Sequence, residues 1–560
     1  MSRASAVSLR TAGHNMNIFR SGFWTGSVCQ TGLIFLGIAL RLRHYFENRS
    51  FWQDEICLAL SIVNRSLTEI WQHILLFPDF AQAPLLFQLI VKFSVVVFGN
   101  SELSLRFFPL LAGIASLFLA RRFFKRSLDP FAATLALALF AVIEPLVYFS
   151  AELKSYGIDV LAALVVYEMF FWLKKEWTPK RLVLFAVVGA VIIWFSYAML
   201  FILAGCGLVI LAEQFKARDR EKMAVLAGCY LFWLLSFVLL YKLSLSRMLN
   251  PDLLKNWRLT GGFAPEPIWT LGGIAWVGRV CLDMFRSPLG MGWTYLSAFF
   301  FVVGCYVLYR RDKWLSAFLF LPFVITLLAG AFEKYPFFER MILFLVPSLL
   351  VVLASGVREV ARRLASYKSW MAWVVVAAVL VSPLGVAAQY IVKPRGNEHN
   401  REAMAYLTAH YQPGDLIAIS PQAQYPFWYY GQRFGLNARM PLHGIGEGMF
   451  ATPVIQLFPD VVTQGGQQML ALRKTLSIYD AKGYYRRFML MGKGSDVVFI
   501  PSVSPQLLKG MGRVWVFLSH HNDPKYPQFV DDVFSRAGQK LDHFEGLGVS
   551  VSLYGIPGGN

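Results

Sequence analysis

Two adjacent carboxylates, Asp54 and Glu55, follow Trp52 shortly after the first long apolar stretch of the chain. A carboxylate at the edge of a bilayer costs several kcal/mol to desolvate unless it is hydrated, paired or bound to a ligand. In apolar surroundings, such a group can act as a general base. A hydrated loop or a helix N-cap is the plain alternative for this pair. We therefore treat Asp54 and Glu55 as candidate catalytic residues.

A second polar group interrupts the apolar pattern around residues 152–159. On a helix, Glu152, Tyr156 and Asp159 would fall at i, i+4 and i+7, which places them on one face. Lys154 lies between them and could neutralise a phosphate group. A local ion pair between Glu152 and Lys154 is the alternative. This segment predicts a second acid and a cation for the same site.

Further cations occur in two later polar segments. Lys334 and Arg340 lie in a short loop that also carries Glu333, and Arg258 lies in the longer segment 244–290. Guanidinium and ammonium groups are the usual protein partners of phosphate. Taken alone, Arg340 would be an interface anchor that extends its charge towards water. All three are candidate phosphate contacts.

The elements that must position these residues are membrane helices. Of the 560 residues, 56% are hydrophobic and only 16% are charged, whereas soluble proteins have roughly 25% charged residues. Long apolar runs predict a mostly α, polytopic membrane protein with about 11 spans, each of roughly 20 residues. These spans cover about 23–42, 103–120, 130–149, a fourth that reaches 173, two within 182–213 that break near Ser196, 223–243, 292–309, 314–332, 341–356 and 370–391.

The net charge of +19 is explained by topology rather than by nucleic-acid binding. Lys and Arg collect in short clusters between the apolar runs, and cytoplasmic loops carry such an excess. With a cytoplasmic N-terminus that acts as a signal anchor, every cluster falls inside. This count requires the short apolar run 85–98 to lie in the interface. The three polar groups and residues 393–560 then fall outside.

The last 168 residues or so have the composition of a soluble domain. The pattern predicts a helix over 400–411, strands over 416–419, 496–500, 514–518 and 549–554, and a helix over 529–541. We therefore divide the chain into a transmembrane domain, 1–392, and an extracytoplasmic α/β domain, 393–560. His520 and His521 are typical of surface histidines, because no partner stands at metal-ligand spacing.

Several short motifs together resemble a known family. They are Trp52-Gln53-Asp54-Glu55, Ala83-Pro84-Leu85 with the stretch 99–109, the stretch 148–156 with Asp159, the stretch 339–347, and the stretch 401–415. In order and spacing, they resemble the GT-C superfamily of integral-membrane glycosyltransferases. The nearest branch is the bacterial one related to the aminoarabinose lipid A transferase and the protein O-mannosyltransferases. The likeness covers about residues 20–420.

The resemblance implies a polyprenyl-phosphate sugar donor, catalysis at the outer face and inversion at the anomeric carbon. It makes Asp54 the general base, with Glu55 assisting or holding a metal or acceptor, and Glu152 or Asp159 the second acid. The implied contacts to the donor phosphate are Lys154, Tyr156, Lys334, Arg340 and Arg258. Ala83 departs from the pattern, because relatives often carry His or Lys there; Gln82 or Lys92 could compensate.

The same resemblance sets the expected partners and location. The acceptor would be a lipid, a glycan or a protein, and the only other partners would be membrane lipids. A divalent cation such as Mg²⁺ or Mn²⁺ could be held by Asp54 and Asp159. The implied location is the inner membrane of a bacterium, with the C-terminal domain in the periplasm. A lipid or polysaccharide transporter and a non-catalytic scaffold of the same fold are the alternatives, although the chain shows no transporter-like internal repeat.

Overall fold

The computed structural model describes residues 26–71, 83–246, 257–420, 422–436, 508, 510–520 and 525–557, and the backbone of three short strands within 454–470. Contacts divide the chain into two units. The first contains Met1–Glu47, Leu67–His73 and Ala83–Pro394. The second contains Asn48–Ser66, Ile74–Gln82 and Arg395–Asn560. The segment that carries the two carboxylates therefore belongs with the C-terminal unit, although the sequence placed it in the transmembrane domain.

Long apolar helices build the first unit. Within the described residues, seven are long and apolar enough to cross a membrane, or eight if one bent pair is a single span. The seven are Glu102–Ser127, Tyr156–Lys175, Met199–Ala217, Arg220–Leu245, Lys313–Ala331, Glu339–Ala365 and Ser369–Val392. The mostly helical, polytopic fold is thus confirmed. The short helix Leu85–Phe98 has only 14 residues, which is too few for a span.

Three further predicted spans are helical, but they fall outside that group. Ser27–Phe46 carries Arg41 and other polar residues, Pro179–Phe195 has only 17 residues, and Thr294–Arg311 ends in two arginines. Charges and shortness both reduce the free energy gained by inserting a helix into a bilayer. The count of eleven spans stays a prediction.

Two interruptions shape the first unit. The predicted break near Ser196 is confirmed, since one helix ends at Phe195 and the next begins at Met199. The predicted span 130–149 is not straight: Pro130–Val142 and Glu144–Ala151 meet at 56°.

Arg41 explains how the bent pair is tolerated. Its buried guanidinium donates to the carbonyl oxygens of Gly37 (3.0 Å), Ala141 (3.2 Å) and Phe140 (3.5 Å). The last two belong to the final turn of the first helix of the pair, where carbonyl groups lack helical partners. A cation at a helix C-terminus is also favoured by the helix dipole.

The second unit contains a five-stranded sheet. Its strands are β1 (Leu416–Ile419), β2 (Val454–Gln456), β5 (Gly512–Ser519), β6 (Gln539–Gly546) and β7 (Val549–Ile556). Their order across the sheet is β2-β1-β5-β7-β6. β1 pairs in parallel with β2 and β5, and the β5-β7 and β7-β6 pairs are antiparallel. A separate hairpin joins β3 (Val461–Gln464) to β4 (Gln467–Leu470).

The helices of this unit follow the predicted pattern with one correction. Asn400–His410 and Tyr526–Ala537 are helical, and Val530 and Phe534 of the second helix pack into the core of the sheet. The predicted helix over 529–541 ran too far, because β6 begins at Gln539. Residues of β6 are mostly exposed or half-buried, as expected of an edge strand whose polar sequence resembles a surface helix. The strand predicted over 496–500 lies outside the described residues.

Asp415 joins β1 to β5. Its buried carboxylate accepts hydrogen bonds from Arg513 Nε (2.8 Å), Trp515 Nε1 (2.9 Å) and the Gln412 backbone N–H (3.0 Å). Burial alone would raise the pKa of Asp415, but these hydrogen bonds and the charge of Arg513 lower it below its usual value.

Asp415→Asn should destabilise the sheet by about 2 kcal/mol, since hydrogen bonds to a buried charge are lost. A carboxyl group with a lowered folded pKa stabilises above its unfolded pKa of about 4, and that contribution disappears as the pH falls further. Hydrogen–deuterium exchange of β1 and β5 peptides should therefore show protection that drops between pH 5 and pH 3 in the wild type but changes less in the variant. Asp532→Asn, on the exposed face of Tyr526–Ala537, is the matched control; equal protection in both variants would contradict the prediction.

Candidate active site

The first unit brings together two of the three polar groups predicted from the sequence. Tyr156 and Asp159 lie in the first turn of the helix Tyr156–Lys175, which packs against the 3₁₀ segment Glu339–Leu345. The guanidinium carbon of Arg340 lies 5.9 Å from the ring centre of Tyr156, within the range of a cation–π contact. Asp159 is buried and Arg340 is half-buried. An acid and a cation therefore share this end of the unit.

Tyr335 belongs to the same cluster, although the sequence did not single it out. Its hydroxyl donates to the Met341 backbone oxygen at 2.8 Å, and its ring lies 4.9 Å from that of Phe201. Burial, and the nearby charge of Asp159, raise the pKa of Tyr335 well above its usual value. Tyr335 is therefore a neutral hydroxyl near the Asp159 carboxyl. Only its place in a polar loop could have indicated it.

Ser196 also lies beside the Asp159 carboxyl. It is fully buried and occupies the break between Pro179–Phe195 and Met199–Ala217. Such a break places backbone and hydroxyl groups at membrane depth, and these are tolerated where they are buried within the protein. The sequence predicted the break, but it did not indicate that Ser196 would lie near Asp159.

Glu152 and Lys154 occupy the turn that precedes Tyr156. The Lys154 backbone N–H donates to the Glu152 carbonyl oxygen at 2.8 Å, and both side chains are buried. A buried charge requires charged or hydrogen-bonding partners. Glu152 and Lys154 are thus buried groups at this end of the first unit and not solvent-exposed ones.

The remaining two cations are placed differently. Arg258 Nε and Nη2 donate to the carboxylate of Glu333 at 2.8 and 2.6 Å, and this bidentate pair raises the pKa of Arg258. Glu333 adopts a φ of 57°. Lys334 follows it and is exposed. A phosphate group would have to compete with Glu333 for Arg258, whereas the exposed position of Lys334 leaves it accessible to ligands.

The second unit carries Asp54 and Glu55 in the first turn of the helix Gln53–Val63. Asp54 is half-buried and Glu55 is fully buried. Trp52 occupies the N-cap position, and its carbonyl oxygen accepts from the Glu55 N–H at 3.0 Å. Asp54 is therefore not the N-cap residue. The helix N-terminus nevertheless favours its negative charge.

The approach to this helix is fixed by both backbone groups of Phe51. Its N–H donates to the Tyr430 hydroxyl at 2.8 Å, and its carbonyl oxygen accepts from Asn400 Nδ2 at 3.0 Å. The Ser50 hydroxyl donates to the Glu398 carbonyl oxygen. Asn400 is fully buried. Asp54 thus follows a segment that is held by residues 348 to 379 positions further along the chain, which is why Asn48–Ser66 belongs to this unit.

His520 was predicted to be a surface histidine, and that interpretation is wrong. Its Nδ1 lies 2.5 Å from Glu398 Oε1, its ring centre lies 6.3 Å from that of Trp52, and only 24% of its side chain is exposed. Burial alone would lower the pKa of His520, but the hydrogen bond to Glu398 and the charges of Glu398 and Asp54 together raise it. No local sequence signal indicates such a partner.

The described residues contain no group of three His, Cys, Asp or Glu side chains that could hold a metal ion. Asp54 and Asp159, the two ligands that the sequence suggested, belong to different units. Among the described residues, the structure therefore shows no donor set of the kind expected of an Mg²⁺ or Mn²⁺ site, with several oxygen ligands around one point. We derive no step through a metal ion.

No protein-family model and no curated protein sequence matches this chain. Among solved structures, ArnT from Cupriavidus metallidurans bound to undecaprenyl phosphate aligns over 93% of this chain and 98% of its own, with 13% identity and a TM-score of 0.49. AglB from Archaeoglobus fulgidus, in complex with an inhibitory peptide and a dolichol-phosphate, aligns over 93% of this chain and 74% of its own, with 12% identity and a TM-score of 0.47.

The Archaeoglobus fulgidus oligosaccharyltransferase in complex with Zn and sulfate aligns over 72% of this chain, with 13% identity and a TM-score of 0.46. This chain spans 61% of the length of that protein.

Proposed function

We propose that this chain is a glycosyltransferase that moves a hexosyl or pentosyl group from a polyprenyl-phosphate donor to an acceptor at the outer face of a membrane. The observation that carries the proposal is the placement of Asp54. Its carboxylate is half-buried in the first turn of a helix whose approach is fixed through Phe51. A rigidly held carboxylate with partial access to solvent is suited to receive a proton from a substrate hydroxyl.

The proposed reaction needs a base and cations. Asp54 removes the proton from the acceptor hydroxyl as the hydroxyl oxygen attacks the anomeric carbon. The bond between that carbon and the phosphate oxygen breaks, and the polyprenyl phosphate leaves with the electron pair. A single displacement inverts the configuration. A phosphate leaving group requires no protonation when its charge is met by the protein. Glu55, directly beside the base, would orient the acceptor.

Lys154 and Arg340 are the proposed partners of the donor phosphate, with Tyr156, Lys334 and Arg258 as further contacts. Arg340 and Tyr156 already touch, and Lys154 lies in the turn before Tyr156. Glu152 or Asp159 would supply the second acid. The guanidinium of Arg340 can bind two phosphate oxygens at once.

Arg340→Gln should raise the KM for the donor about ten- to a hundredfold, because a charge-assisted hydrogen bond contributes roughly 1.5–3 kcal/mol. Steady-state kinetics with varied donor concentration measures this. Arg279→Gln, which changes an exposed arginine of the helix Leu271–Arg286, is the matched control and should leave the KM within about twofold. An unchanged donor KM in Arg340→Gln would remove Arg340 from the phosphate site.

The function itself is tested with the purified full chain and sugars carried on undecaprenyl phosphate or dolichol phosphate, the lipids named in the ArnT and AglB structures. An alcohol or lipid A serves as the acceptor. We expect release of the polyprenyl phosphate and a product of inverted anomeric configuration. Movement of the lipid across sealed vesicles without bond cleavage would instead identify a transporter. The absence of both transfer and transport would favour a non-catalytic scaffold.

We place the protein in the inner membrane of a bacterium, with a cytoplasmic N-terminus and the C-terminal α/β domain in the periplasm. Seven long apolar helices within the described residues make it an integral membrane protein. Support for the orientation comes from the basic clusters, which share one side of the membrane when the eleven predicted spans are counted.

A further inference from the structure

Two helix–helix connections of the first unit, residues 174–181 and residues 213–222, lie side by side. We call them the basic turns. An ion pair and a cation–π contact join them: Lys174 Nζ donates to Glu213 Oε1 at 2.8 Å, and Lys222 Nζ lies 5.4 Å from the ring centre of Trp177. The cations of the two turns are therefore brought to one place on the surface.

The basic turns carry more positive charge than their own acids can neutralise. They contain eight basic and four acidic side chains. Three of the acids form ion pairs within the turns: Glu176 with Arg181, Glu213 with Lys174, and Asp219 with Lys222. The one other acid of the two turns is Glu221. The remaining five cations are all exposed, and they are Lys175, Lys180, Lys216, Arg218 and Arg220.

The backbone of Arg218 has a conformation that glycine would favour. Arg218 ends the helix Met199–Ala217 with a φ of 55° and a ψ of 28°, in the left-handed region. Glycine is the usual residue at such a position, because a side chain makes the conformation less favourable. An arginine that is kept there despite this cost is a reason to look for a function of its side chain. The residue is exposed, so its guanidinium can reach a ligand outside the chain.

The helices that begin at the basic turns carry exposed apolar side chains. Pro179–Phe195 and Arg220–Leu240 pack against each other, and Trp233 Nε1 of the second donates to the Ala186 carbonyl oxygen of the first at 2.9 Å. Exposed apolar surface of this kind contacts acyl chains in a bilayer. It includes Val183, Leu184 and Val187 of the first helix and Leu231, Leu234 and Leu235 of the second. A lipid whose chains lie on these helices can have its headgroup at the basic turns.

We propose that the basic turns bind an anionic phospholipid, whose phosphate contacts their exposed cations and whose acyl chains lie on Pro179–Phe195 and Arg220–Leu240. The guanidinium of Arg218 can bind two phosphate oxygens at once. In the orientation proposed above, this lipid belongs to the cytoplasmic leaflet, whereas the sugar donor binds at the outer face. The inference therefore goes beyond sugar transfer and does not depend on it.

A simpler explanation is that the cations only set the topology, as Lys and Arg do in cytoplasmic loops generally. Lipid affinity would then depend on the number of cations and not on their position. Three exposed cations at other helix–helix connections of the same unit provide the comparison, and they are Arg310, Arg311 and Lys368. An acidic protein partner is a second alternative, and it would not require the apolar faces beside the cations.

The first experiment compares fluorescent phosphatidylglycerol with fluorescent phosphatidylcholine, each bound to the purified full chain in neutral detergent and followed by anisotropy. We expect phosphatidylglycerol to bind at least about tenfold more tightly, since each cation near an anionic headgroup contributes roughly fivefold. The preference should disappear between about 0.1 M and about 1 M salt, because the screening length falls from about 10 Å to about 3 Å. Equal affinities for the two lipids at low salt would overturn the proposal, and so would tighter binding of soluble polyglutamate, which would indicate an acidic protein partner.

The second experiment tests the position of the cations. A triple variant with Lys175→Gln, Lys180→Gln and Arg218→Gly should weaken phosphatidylglycerol binding at least about tenfold. The matched control removes the same number of exposed cations through Arg310→Gln, Arg311→Gln and Lys368→Gln, and it should stay within about threefold of the wild type. Equal losses in the two triple variants would overturn the assignment of the site to the basic turns.

Arg218→Gly alone separates lipid binding from folding. Glycine suits the left-handed backbone at this position, so the midpoint of thermal unfolding in detergent alone should not fall. The Kd for phosphatidylglycerol should nevertheless rise about fivefold, and the lipid should raise the unfolding midpoint less than it does in the wild type. A lower midpoint with an unchanged Kd would show that Arg218 only supports the fold, and would overturn its place in the site. None of these measurements requires sugar transfer, so they decide the inference even if the proposed function fails.

Discussion

Asp54→Asn is expected to abolish sugar transfer, with a fall in kcat of about a hundred- to ten-thousandfold, the usual contribution of a general base. Asparagine has nearly the shape of aspartate but cannot accept the acceptor proton. The substitution should not unfold the chain, because Asp54 is half-buried and the backbone before it is fixed through Phe51 by Tyr430 and Asn400. Donor binding should persist, since the proposed phosphate contacts are other residues.

The measurement combines initial rates of polyprenyl phosphate release with donor binding by the same purified variant. Asp532→Asn makes the identical chemical change on an exposed helix face of the same unit and should retain full activity. Wild-type rates in a well-folded Asp54→Asn protein would remove Asp54 as the base. Loss of donor binding together with the rate would instead assign Asp54 to the binding step.

The first unit was largely predictable because its determinants are local. Apolar length marks the spans, and the break near Ser196 follows from an apolar run, 182–213, that is too long for one span and suits two. The bend after Val142 was missed, because what permits it is Arg41, a cation that the sequence placed within the first span. An arginine within a predicted span does not by itself indicate a bend elsewhere, because the sequence does not show which carbonyl groups the guanidinium will bind.

The sequence names the candidate residues of the proposed site but not the contacts that they make. The sequence predicted one helix face for Glu152, Tyr156 and Asp159, but the helix begins only at Tyr156, and Glu152 has an extended backbone before it. Arg340 lies near the ring of Tyr156. His520 and Tyr335 were missed, since each derives its character from residues distant in the chain. The assignment of Asn48–Ser66 to the C-terminal unit was missed for the same reason. Hydrogen bonds of the Phe51 backbone to Asn400 and Tyr430 hold this segment in that unit. Hydrophobic periodicity does not predict hydrogen bonds between distant residues.

Gly356→Ala is expected to be the most damaging small substitution in the first unit. The helices Thr294–Arg311 and Val346–Ala365 approach so closely that a Cβ on Gly356 would lie 1.8 Å from the Phe300 carbonyl oxygen, and one on Gly304 would lie 1.9 Å from the Val352 carbonyl oxygen. These neighbours are backbone atoms, so no side chain can turn away to make room. Small residues at helix crossings permit such contacts in membrane proteins.

Insertion of the methyl group must therefore separate the two helices, at a cost of about 3 kcal/mol, the upper part of the usual range for overpacking. The displaced helix Val346–Ala365 directly follows the segment Glu339–Leu345, which carries Arg340. Gly356→Ala should thus lower the midpoint of thermal unfolding in detergent and, in the fraction that folds, raise the donor KM. Gly228→Ala is the matched control, because a Cβ at that position in Arg220–Leu240 meets nothing within 4 Å, and alanine is the better helix former by roughly 1 kcal/mol. Equal unfolding midpoints for the two variants would contradict the close approach of these helices, and with it the rigid support that the structure gives to Arg340.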